Sequence, residues 1–299
     1  MLPHALVRRN GARHGVELGM SDFSAPKEGS FRKEFTGLNV AQLDLSGYVL
    51  VEEALPVRTV IERMRAKKTN CALVTGAGAA LQGIFTDRDL LMKVVGVAGA
   101  LDFAVSAVMT AAPRTLSSAQ TVGEALQIFN LFGFRNLPVF DGSRLLGNLG
   151  HRTLITHAHS LCVAHGDVLH APISSIEIGR PVAVPGTRPL QFAIRTMQLY
   201  SIGCCLVTDA QDKLAGVFTE MDVLLRVAGV VSDLEQTTVA EHMTNKPATL
   251  SPEAEIAQAL EMMGGRGFRH VPLVDAELLP VSVMSSRDIL HLIEALPAA

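Results

Sequence analysis

Three short segments of the chain place a hydroxyl side chain three positions before an aspartate. Residues 83–89 read GIFTDRD, residues 216–222 read GVFTEMD and residues 282–288 read SVMSSRD. If the hydroxyl residue begins a helix, its side chain caps that helix, and the aspartate lies one turn on, on the same face. Such a carboxylate can accept hydrogen bonds from the vicinal hydroxyls of a ribose, as acidic residues do in dinucleotide sites of another fold. The same spacing is also that of a simple capping box, which stabilises a helix and binds nothing.

A fourth segment repeats the pattern without the aspartate. Aligned with the first segment, residues 146–154 place Gly150 at the hydroxyl position and Thr153 at the aspartate position. We expect this copy to bind a ribose poorly, because it lacks the carboxylate. His151 and Arg152 could instead contact the phosphates of a ligand that a neighbouring copy holds.

Two further segments supply candidate phosphate donors. Residues 134–141 (FRNLPVFD) correspond to residues 268–275 (FRHVPLVD), which places Arg135 and Arg269 at equivalent positions, with His270 beside the latter. An arginine can hold a phosphate with two parallel hydrogen bonds. Alternatively, both arginines are solvated or paired with a nearby carboxylate.

The repeats form two pairs in the order A-B-A′-B′. Residues 108–113 (VMTAAP) of the second copy correspond to residues 242–247 (HMTNKP) of the fourth. Each copy reads strand, helix, strand, strand, helix, an α/β unit of about 55 to 65 residues whose sheet must bury one face against helices. Such a unit buries little surface alone, so we expect the copies to complete their cores in pairs.

Together these motifs resemble the CBS domain, the regulatory repeat named for cystathionine β-synthase. The resemblance rests on the glycine-hydrophobic-hydrophobic-Thr/Ser-x-x-Asp run, the Val-Met-Thr-x-x-Pro start and the Arg-Asn/His-hydrophobic-Pro-hydrophobic strand, and it covers about residues 48 to 296. It implies an α/β fold of four tandem CBS repeats (β-α-β-β-α), arranged as two paired modules in a pseudo-symmetric disc. This plan is similar to that of the gamma subunit of AMP-activated protein kinase.

The resemblance also implies that clefts between paired copies bind adenine nucleotides, namely AMP, ADP or ATP, with S-adenosylmethionine as a further candidate. It assigns the hydroxyl–aspartate pairs to the ribose and the basic residues to the phosphates. The candidate nucleotide-binding residues are Thr86, Asp89, Thr219, Asp222, Ser285, Asp288, Arg135, Arg269, His270, His151 and Arg152. We expect the nucleotide to be a regulatory ligand, with no obligatory cofactor and no catalytic residue.

The chain divides into an arm, two pairs and a linker. We predict a flexible N-terminal arm over residues 1–47, with a transit peptide or a docking segment as alternatives, because three arginines precede the first acidic residue and no apolar signal segment follows. The other predicted boundaries are 48–160 for the first pair (48–100 and 105–160), 161–175 for the linker, and 176–296 for the second pair (176–230 and 237–296).

Composition narrows the class of protein. A net charge of −3, with no Trp and two Tyr in 299 residues, provides neither the field nor the stacking surface that nucleic acids require. Charged residues and glycines interrupt the apolar runs, so we predict no membrane span. The four cysteines lie mainly in strand-like apolar runs, which favours a reducing, cytoplasmic setting.

A cluster of histidines raises the question of a metal. Five of the ten histidines lie between His151 and His170. His157 and His159, two positions apart on a helix, would diverge rather than converge on an ion. We interpret the segment as a polar linker without a metal, and Cys162 nearby leaves a zinc site as the alternative.

The leading functional hypothesis is a regulatory sensor. An adenine nucleotide would enter the clefts and shift the packing of the copies, and a regulated partner or a second copy in a homodimer would read that change. The sequence has no P-loop, no Gly-x-Ser-x-Gly elbow and no metal-binding helix motif, so we expect no enzyme activity. The alternatives are a scaffold with vestigial clefts and an enzyme acting on a nucleotide.

Overall fold

The computed structural model describes residues 25–166 and 168–297, and residues 1–24 of the predicted arm lie outside this part. Its α-helices are α1 (Ala25–Gly37), α2 (Val57–Ala66), α3 (Asp87–Asp89), α4 (Val122–Phe132), α5 (His151–His165), α6 (Leu190–Tyr200), α7 (Glu220–Asp222), α8 (Val239–His242), α9 (Ile256–Gly264) and α10 (Ser286–Ala295). Its strands are β1 (Val49–Glu52), β2 (Cys71–Thr75), β3 (Leu81–Thr86), β4 (Thr110–Ala111), β5 (Leu116–Ser117), β6 (Asn136–Asp141), β7 (Arg144–Gly150), β8 (Ala183–Pro185), β9 (Cys204–Thr208), β10 (Leu214–Thr219), β11 (Thr244–Asn245), β12 (His270–Val274) and β13 (Pro280–Ser285). None of the helices in the described residues is long and apolar enough to cross a membrane.

Each copy builds a small sheet around a hairpin. In the first copy the strand order is β1-β2-β3-β4, with β1 parallel to β2 and the other pairs antiparallel. The third copy repeats this arrangement as β8-β9-β10-β11. The edge strands β4 and β11 come from the first residues of the following copies, so each pair shares a sheet. The second and fourth copies contribute the smaller sheets β5-β6-β7 and β12-β13.

The two faces of β9 show how the layers are arranged. Cys205 lies in the apolar core that the helices of the first and third copies share. Its neighbour Cys204 lies on the other face, in a cluster with Val283 of the fourth copy. Adjacent strand residues point to opposite faces, so these two thiols diverge. Sheets therefore pack against each other within a pair.

Helices join the two pairs. One core combines the first and third copies, and the other combines the second and fourth. Side chains also reach across this contact: Nε of Arg65 donates to the carbonyl of Leu224 at 2.7 Å, and Nε2 of Gln198 donates to the carbonyl of Leu91 at 2.7 Å. Each copy therefore has two neighbours, one through its sheet and one through its helices.

The closing helices differ between the copies. In the second and fourth copies they are the full helices α5 and α10. In the first and third, α3 and α7 last one turn and continue as π-helical turns over Leu90–Val94 and Val223–Val227. The side chains of Arg65 and Gln198 donate hydrogen bonds to main-chain carbonyls of these turns. A side chain that inserts into the hydrogen bonding of a helix is one of the usual causes of such an irregularity.

Helix α1 corrects part of the predicted flexible arm. Phe31 and Phe35, four residues apart, are fully buried in the core of the second and fourth copies. Val40 and Leu45, also inside the predicted arm, belong to the same core. Residues 25–47 are therefore an integral part of the fold. Two phenylalanines in a polar segment are too few for a helical period to predict the buried face.

The predicted linker is also part of the core. Helix α5 continues to His165, and Val168, Leu169 and Ile173 are buried with the second and fourth copies. The backbone N–H of Ala257 donates to the carbonyl of Leu169 at 2.9 Å. The segment is buried through the apolar residues that follow the histidines. Its histidine-rich first part is what led to the prediction of a solvated linker.

A substitution in α1 tests its part in the core. We expect Phe35→Ala to lower the free energy of unfolding by about 3–5 kcal/mol, the usual cost of truncating a buried aromatic side chain. The exposed Lys33 on the same helix is the matched control, and Lys33→Ala should stay within about 0.5 kcal/mol of the unmodified chain. Both values come from urea denaturation followed by circular dichroism. Similar, small losses for the two variants would contradict the packing of α1.

Candidate functional site

One main-chain hydrogen bond recurs in all four copies and joins each motif turn to the start of the neighbouring strand of the same copy. The N–H of the residue that follows each N-cap donates to the carbonyl of the residue that precedes the neighbouring strand. The four bonds run from Asp87 to Asn70 (3.1 Å), from His151 to Arg135 (3.1 Å), from Glu220 to Gly203 (3.0 Å) and from Ser286 to Arg269 (3.1 Å). Each copy thus holds its motif turn beside the beginning of its neighbouring strand.

Side chains of these segments form a central ionic cluster of Asp87, Arg88, Arg135, Glu220 and Arg269. Nη1 of Arg135 lies 2.5 Å from Oε2 of Glu220, and its Nη2 lies 3.4 Å from Oδ1 of Asp87. Nη1 of Arg269 lies 2.8 Å from Oδ2 of Asp87, and Nη1 of Arg88 lies 3.5 Å from Oε1 of Glu220. The cluster therefore links all four copies, and Asp87 and Glu220 are almost completely buried in it.

The two carboxylates of the central ionic cluster have opposite pKa shifts. Burial by itself would raise the pKa of Asp87, but the charges of Arg135 and Arg269 outweigh it and hold that pKa below its usual value. Burial raises the pKa of Glu220, the charge of Asp87 raises it further, and Arg135 offsets this only in part. Asp87 is thus the more firmly ionised carboxylate, and Glu220 is protonated more readily.

The sequence motif does not identify Asp87 and Glu220, because they occupy its unassigned position after the hydroxyl residue. Arg135 and Arg269 were predicted to be either solvated or paired with a nearby carboxylate. Both are paired with carboxylates, but these carboxylates lie far away in the sequence. The acids lie in the first and third copies, and the arginines lie in the second and fourth. This alternation becomes visible only when equivalent positions of all four copies are aligned.

All three predicted hydroxyl–aspartate pairs form capping boxes. In each pair, Oδ2 of the aspartate accepts from the backbone N–H and from the hydroxyl of the N-cap residue. These two distances are 3.0 and 2.8 Å for Thr86 with Asp89, 2.9 and 2.7 Å for Thr219 with Asp222, and 2.7 and 2.7 Å for Ser285 with Asp288. Any ligand contact therefore falls to the other oxygen, Oδ1.

The Oδ1 atoms differ in their partners. Oδ1 of Asp89 accepts from Nζ of Lys93 at 2.7 Å and from Oγ1 of Thr110 at 2.9 Å. Oδ1 of Asp222 likewise accepts from Oγ1 of Thr244 at 3.1 Å and lies 3.4 Å from Nη1 of Arg226. Among the described residues, none donates a hydrogen bond to Oδ1 of Asp288. Burial raises the pKa of Asp288, and its capping hydrogen bonds from Ser285 only partly offset that effect.

The second copy has the predicted departures. Gly150 stands at the N-cap without a side chain to cap the helix, and Thr153 donates from Oγ1 to the carbonyl of Asp44 at 3.0 Å. His151 is buried, with its ring edge-on to Phe129 at 4.9 Å between centroids. No carboxylate is therefore present at the position that would meet a ribose in this copy.

Two candidate phosphate contacts are uncharged at neutral pH. Burial, with the charges of Arg135 and Arg269 beside it, lowers the pKa of His151 to about 3 and that of His270 to about 3. Both imidazoles could contact a phosphate only as neutral N–H donors. Charge compensation of a phosphate would fall to the arginines.

A cavity of about 1490 Å³ opens between the motif turns. Nine basic side chains line it, against three carboxylates, so its surface favours an anion. The basic residues are Lys67, Lys68, Arg88, Arg114, Arg135, Arg152, Arg180, Arg269 and Arg287, and the carboxylates are Asp44, Asp89 and Asp288.

Most of the predicted site residues meet in this cavity. The predicted nucleotide-binding residues that line it are Thr86, Asp89, Arg135, His151, Arg152, Arg269, His270, Ser285 and Asp288. Thr219 and Asp222 do not belong to its lining. The third copy therefore directs its motif away from the cavity that the other three share.

The histidines of α5 have structural partners. The ring of His157 stacks on that of Phe35 at 5.7 Å, and Nε2 of His165 lies 2.8 Å from Oε2 of Glu34. Both contacts hold α1 against α5. Across residues 25–166 and 168–297, no three His, Cys, Asp or Glu side chains are placed to hold a metal ion.

Comparison with known proteins gives one family. The profile of the CBS domain matches residues 40–96, 105–160, 173–229 and 239–295. The first match begins at residue 40, in agreement with the burial of Val40. A relative, the CBS domain-containing protein CBSCBSPB5 of Arabidopsis thaliana, is 26% identical over 292 residues, which cover 86% of this chain and 53% of that protein. The chain spans about half the length of the curated relatives it matches.

Solved structures share the fold. Protein MJ1225 of Methanocaldococcus jannaschii, a proposed archaeal homologue of the gamma subunit of AMP-activated protein kinase, superposes with a TM-score of 0.74 at 18% identity. The superposition covers 85% of this chain and 99% of MJ1225, and at this identity it concerns the fold alone. The CBS domain protein PAE2072 of Pyrobaculum aerophilum, complexed with AMP, is 24% identical, with a TM-score of 0.37, covering 39% of this chain and 88% of its own.

The central ionic cluster predicts unequal costs for its two acids. Asp87→Asn should lower the free energy of unfolding by about 3–5 kcal/mol, because removing one partner of a buried ion pair leaves the other charge uncompensated. Glu220→Gln should cost less, because burial already favours the protonated form of Glu220. Denaturant unfolding at pH 7 measures both. Equal losses, or a larger loss for Glu220→Gln, would contradict the central position of Asp87.

Neutral His151 predicts acid sensitivity. An unfolded histidine titrates near 6.5, so below this pH the unfolded chain binds a proton that buried His151, with a pKa of about 3, does not bind. The stability that neutral His151 contributes is therefore present above pH 6.5 and is lost as the pH falls towards 3. Between pH 7 and pH 5 this single group costs about 2 kcal/mol.

The variant His151→Asn should therefore lose about 2 kcal/mol less than the unmodified chain over that interval. Denaturant unfolding at pH 7, 6 and 5 measures the two slopes. Parallel slopes would show that folded His151 takes up its proton over the same pH range as in the unfolded chain.

Proposed function

This chain belongs to the CBS-domain family, of which it carries four domains, and from that premise we propose that it is a regulatory protein that binds an adenine nucleotide. The nucleotide, AMP in the first instance, would occupy the cleft between the third and fourth copies. Its ribose would lie on Asp288 and its phosphate among the arginines of the central cavity. A partner protein, or a second copy in a homodimer, would read the bound state.

The observation that carries the proposal is the unused capacity of Asp288. A carboxylate has about four acceptor positions, two on each oxygen. The capping box fills both positions on Oδ2, and no described residue donates to Oδ1. Asp288 lines the cavity. The two hydroxyls of a ribose present two donors close together. Asp288 therefore has the acceptors that a cis-diol needs, at the edge of an anion-binding cavity.

Another part of the cavity wall suits a planar base. Residues 178–182 of the third copy run along the cavity, and Val283 of the fourth copy lies beside them, half-buried. Oγ of Ser282 donates to the carbonyl of Gly179 at 2.7 Å and fixes this segment against β13. Ile178 and Val283 offer apolar contacts for the faces of the base, and the adjacent main chain offers donors and acceptors for its edge.

Arginines stand where the phosphate of such a ligand would extend. Arg287 follows the N-cap region directly before Asp288, and its Nη2 donates to the carbonyl of Gly133 in the second copy at 3.0 Å. Arg152 and Arg269 line the same cavity. This excess of positive charge favours AMP, ADP or ATP over S-adenosylmethionine, whose sulfonium is cationic and which carries no phosphate.

The central ionic cluster offers a route from ligand to packing. A phosphate that binds Arg269 competes with Asp87 for the same guanidinium, and Asp87 also holds Arg135. Because these residues belong to different pairs, such competition favours one arrangement of the two pairs over the other. A ligand shifts an equilibrium only by this kind of difference in affinity.

Two other functions make different predictions. A scaffold with vestigial clefts would bind none of AMP, ADP and ATP. CBS-domain proteins are typically regulatory rather than catalytic, and an enzyme would consume ATP in a way that a substitution in the cavity abolishes. Titration and a turnover assay with the same nucleotides therefore separate the three.

A calorimetric titration with AMP and with 2′-deoxy-AMP tests the ribose contact. The unmodified chain should bind AMP more tightly, because the deoxy ligand lacks one of the two donors. Asp288→Asn should weaken AMP binding by about tenfold or more, since a hydrogen bond to a charged group is worth about 1.5–3 kcal/mol. The same variant should bind the two ligands almost equally.

The matched control is Glu277→Gln, which removes an exposed carboxylate of the same copy and should leave both affinities unchanged. If Asp288→Asn bound AMP as tightly as the unmodified chain, the ribose would lie elsewhere. No binding of any adenine nucleotide to the unmodified chain would favour the scaffold.

A further inference from the structure

The proposed function makes each motif aspartate a potential ribose site, and the inference below depends on it. We propose that Lys93 and Arg226 act as internal cations that occupy the aspartates of the first and third copies. The chain would then offer one open ribose site, at Asp288, rather than three. The number of nucleotides bound per chain would be set by two basic residues that lie outside the repeated hydroxyl–aspartate motif.

Lys93 fills the remaining acceptor capacity of Asp89. Its Nζ donates to Oδ1 of Asp89 at 2.7 Å and to the carbonyl of Met109 at 3.2 Å. Oγ1 of Thr110 donates to the same Oδ1 at 2.9 Å. Since Thr86 already fills the two positions on Oδ2, all four acceptor positions of this carboxylate are used. A cis-diol finds no acceptor at Asp89 unless the ammonium leaves.

Arg226 plays the equivalent role in the third copy. Its Nη1 lies 3.4 Å from Oδ1 of Asp222 and donates to the carbonyl of Met243 at 3.0 Å. Oγ1 of Thr244 donates to that Oδ1 at 3.1 Å. Lys93 and Arg226 are thus equivalent residues with equivalent partners, each joining the first copy of a pair to the beginning of the second.

The π-helical turns place these cations. Lys93 and Arg226 each stand four positions after the aspartate, on the turns Leu90–Val94 and Val223–Val227. In the fourth copy the same position is Leu292, which is buried in the core because α10 continues as a regular helix. No cation can therefore reach Asp288 from this position, which leaves its Oδ1 open.

Space is not what excludes a ligand from the first copy. Asp89, Thr110 and Arg114 all line the central cavity, so a ribose could approach Asp89. Asp222 and Thr244 do not line it, so the third copy lacks the access. Removing the cation should therefore open a second site at Asp89 but not at Asp222.

The test is the number of AMP molecules bound per chain, measured by calorimetry on the full chain. We expect one for the unmodified protein and two for Lys93→Met with Thr110→Val, which clears both donors from Oδ1 of Asp89. Thr110→Val alone is the matched control and should still bind one, because Lys93 remains. Adding Asp89→Asn to the double variant should return the number to one.

The outcomes separate the inference from the function on which it rests. A double variant that still binds one AMP overturns the role of Lys93 and leaves the Asp288 site standing. An unmodified chain that binds two or three AMP also overturns the inference, since Asp89 or Asp222 would then be open. An unmodified chain that binds none overturns the proposed function itself. The Asp288 site reports folding in every variant, because its binding must persist alongside any new site.

Discussion

The buried negative charge of Asp87 is the constraint on which the centre of the molecule depends. Its side chain has no exposed surface, and a carboxylate removed from water is tolerable only when cations and hydrogen bonds replace the solvent. Arg135 comes from the same pair of CBS domains and Arg269 from the other, so compensation requires both pairs in one relative position. Two apolar cores join the pairs through their helices, and the pairing of this charge requires those helices to meet in one register.

The proposed function depends on the same chemistry. A carboxylate inside the protein and the phosphate of the proposed ligand would be alternative partners for one set of arginines, so the nucleotide would enter a region whose charges are already partly satisfied. In the capping boxes, donors compete in the same way for a single aspartate. Each aspartate uses one oxygen for its own helix, and the donors around the other oxygen decide whether any acceptor remains for a ribose.

Much of the plan could be predicted from the sequence. The four copies, their pairing, the α/β order and the positions of Asp89, Asp222 and Asp288 follow from short repeated segments, because capping and strand alternation are local. Helix α1 could not be predicted in this way, since only Phe31 and Phe35 mark its buried face. The partners of Arg135 could not be predicted either, because pairing between distant copies leaves no local period.

The sequence by itself therefore determined the family, the repeated unit and the broken motif at Thr153, all of which depend on residue type at fixed spacing. Only the tertiary structure decided which carboxylates are available. Asp89 and Asp288 have the same motif, yet Asp89 pairs with Lys93 from a π-helical turn, whereas no described residue forms an ion pair with Asp288 from the equivalent position, because α10 remains regular and buries Leu292 there. Availability is a property of the atoms packed around a group, and packing between elements is what local spacing leaves open.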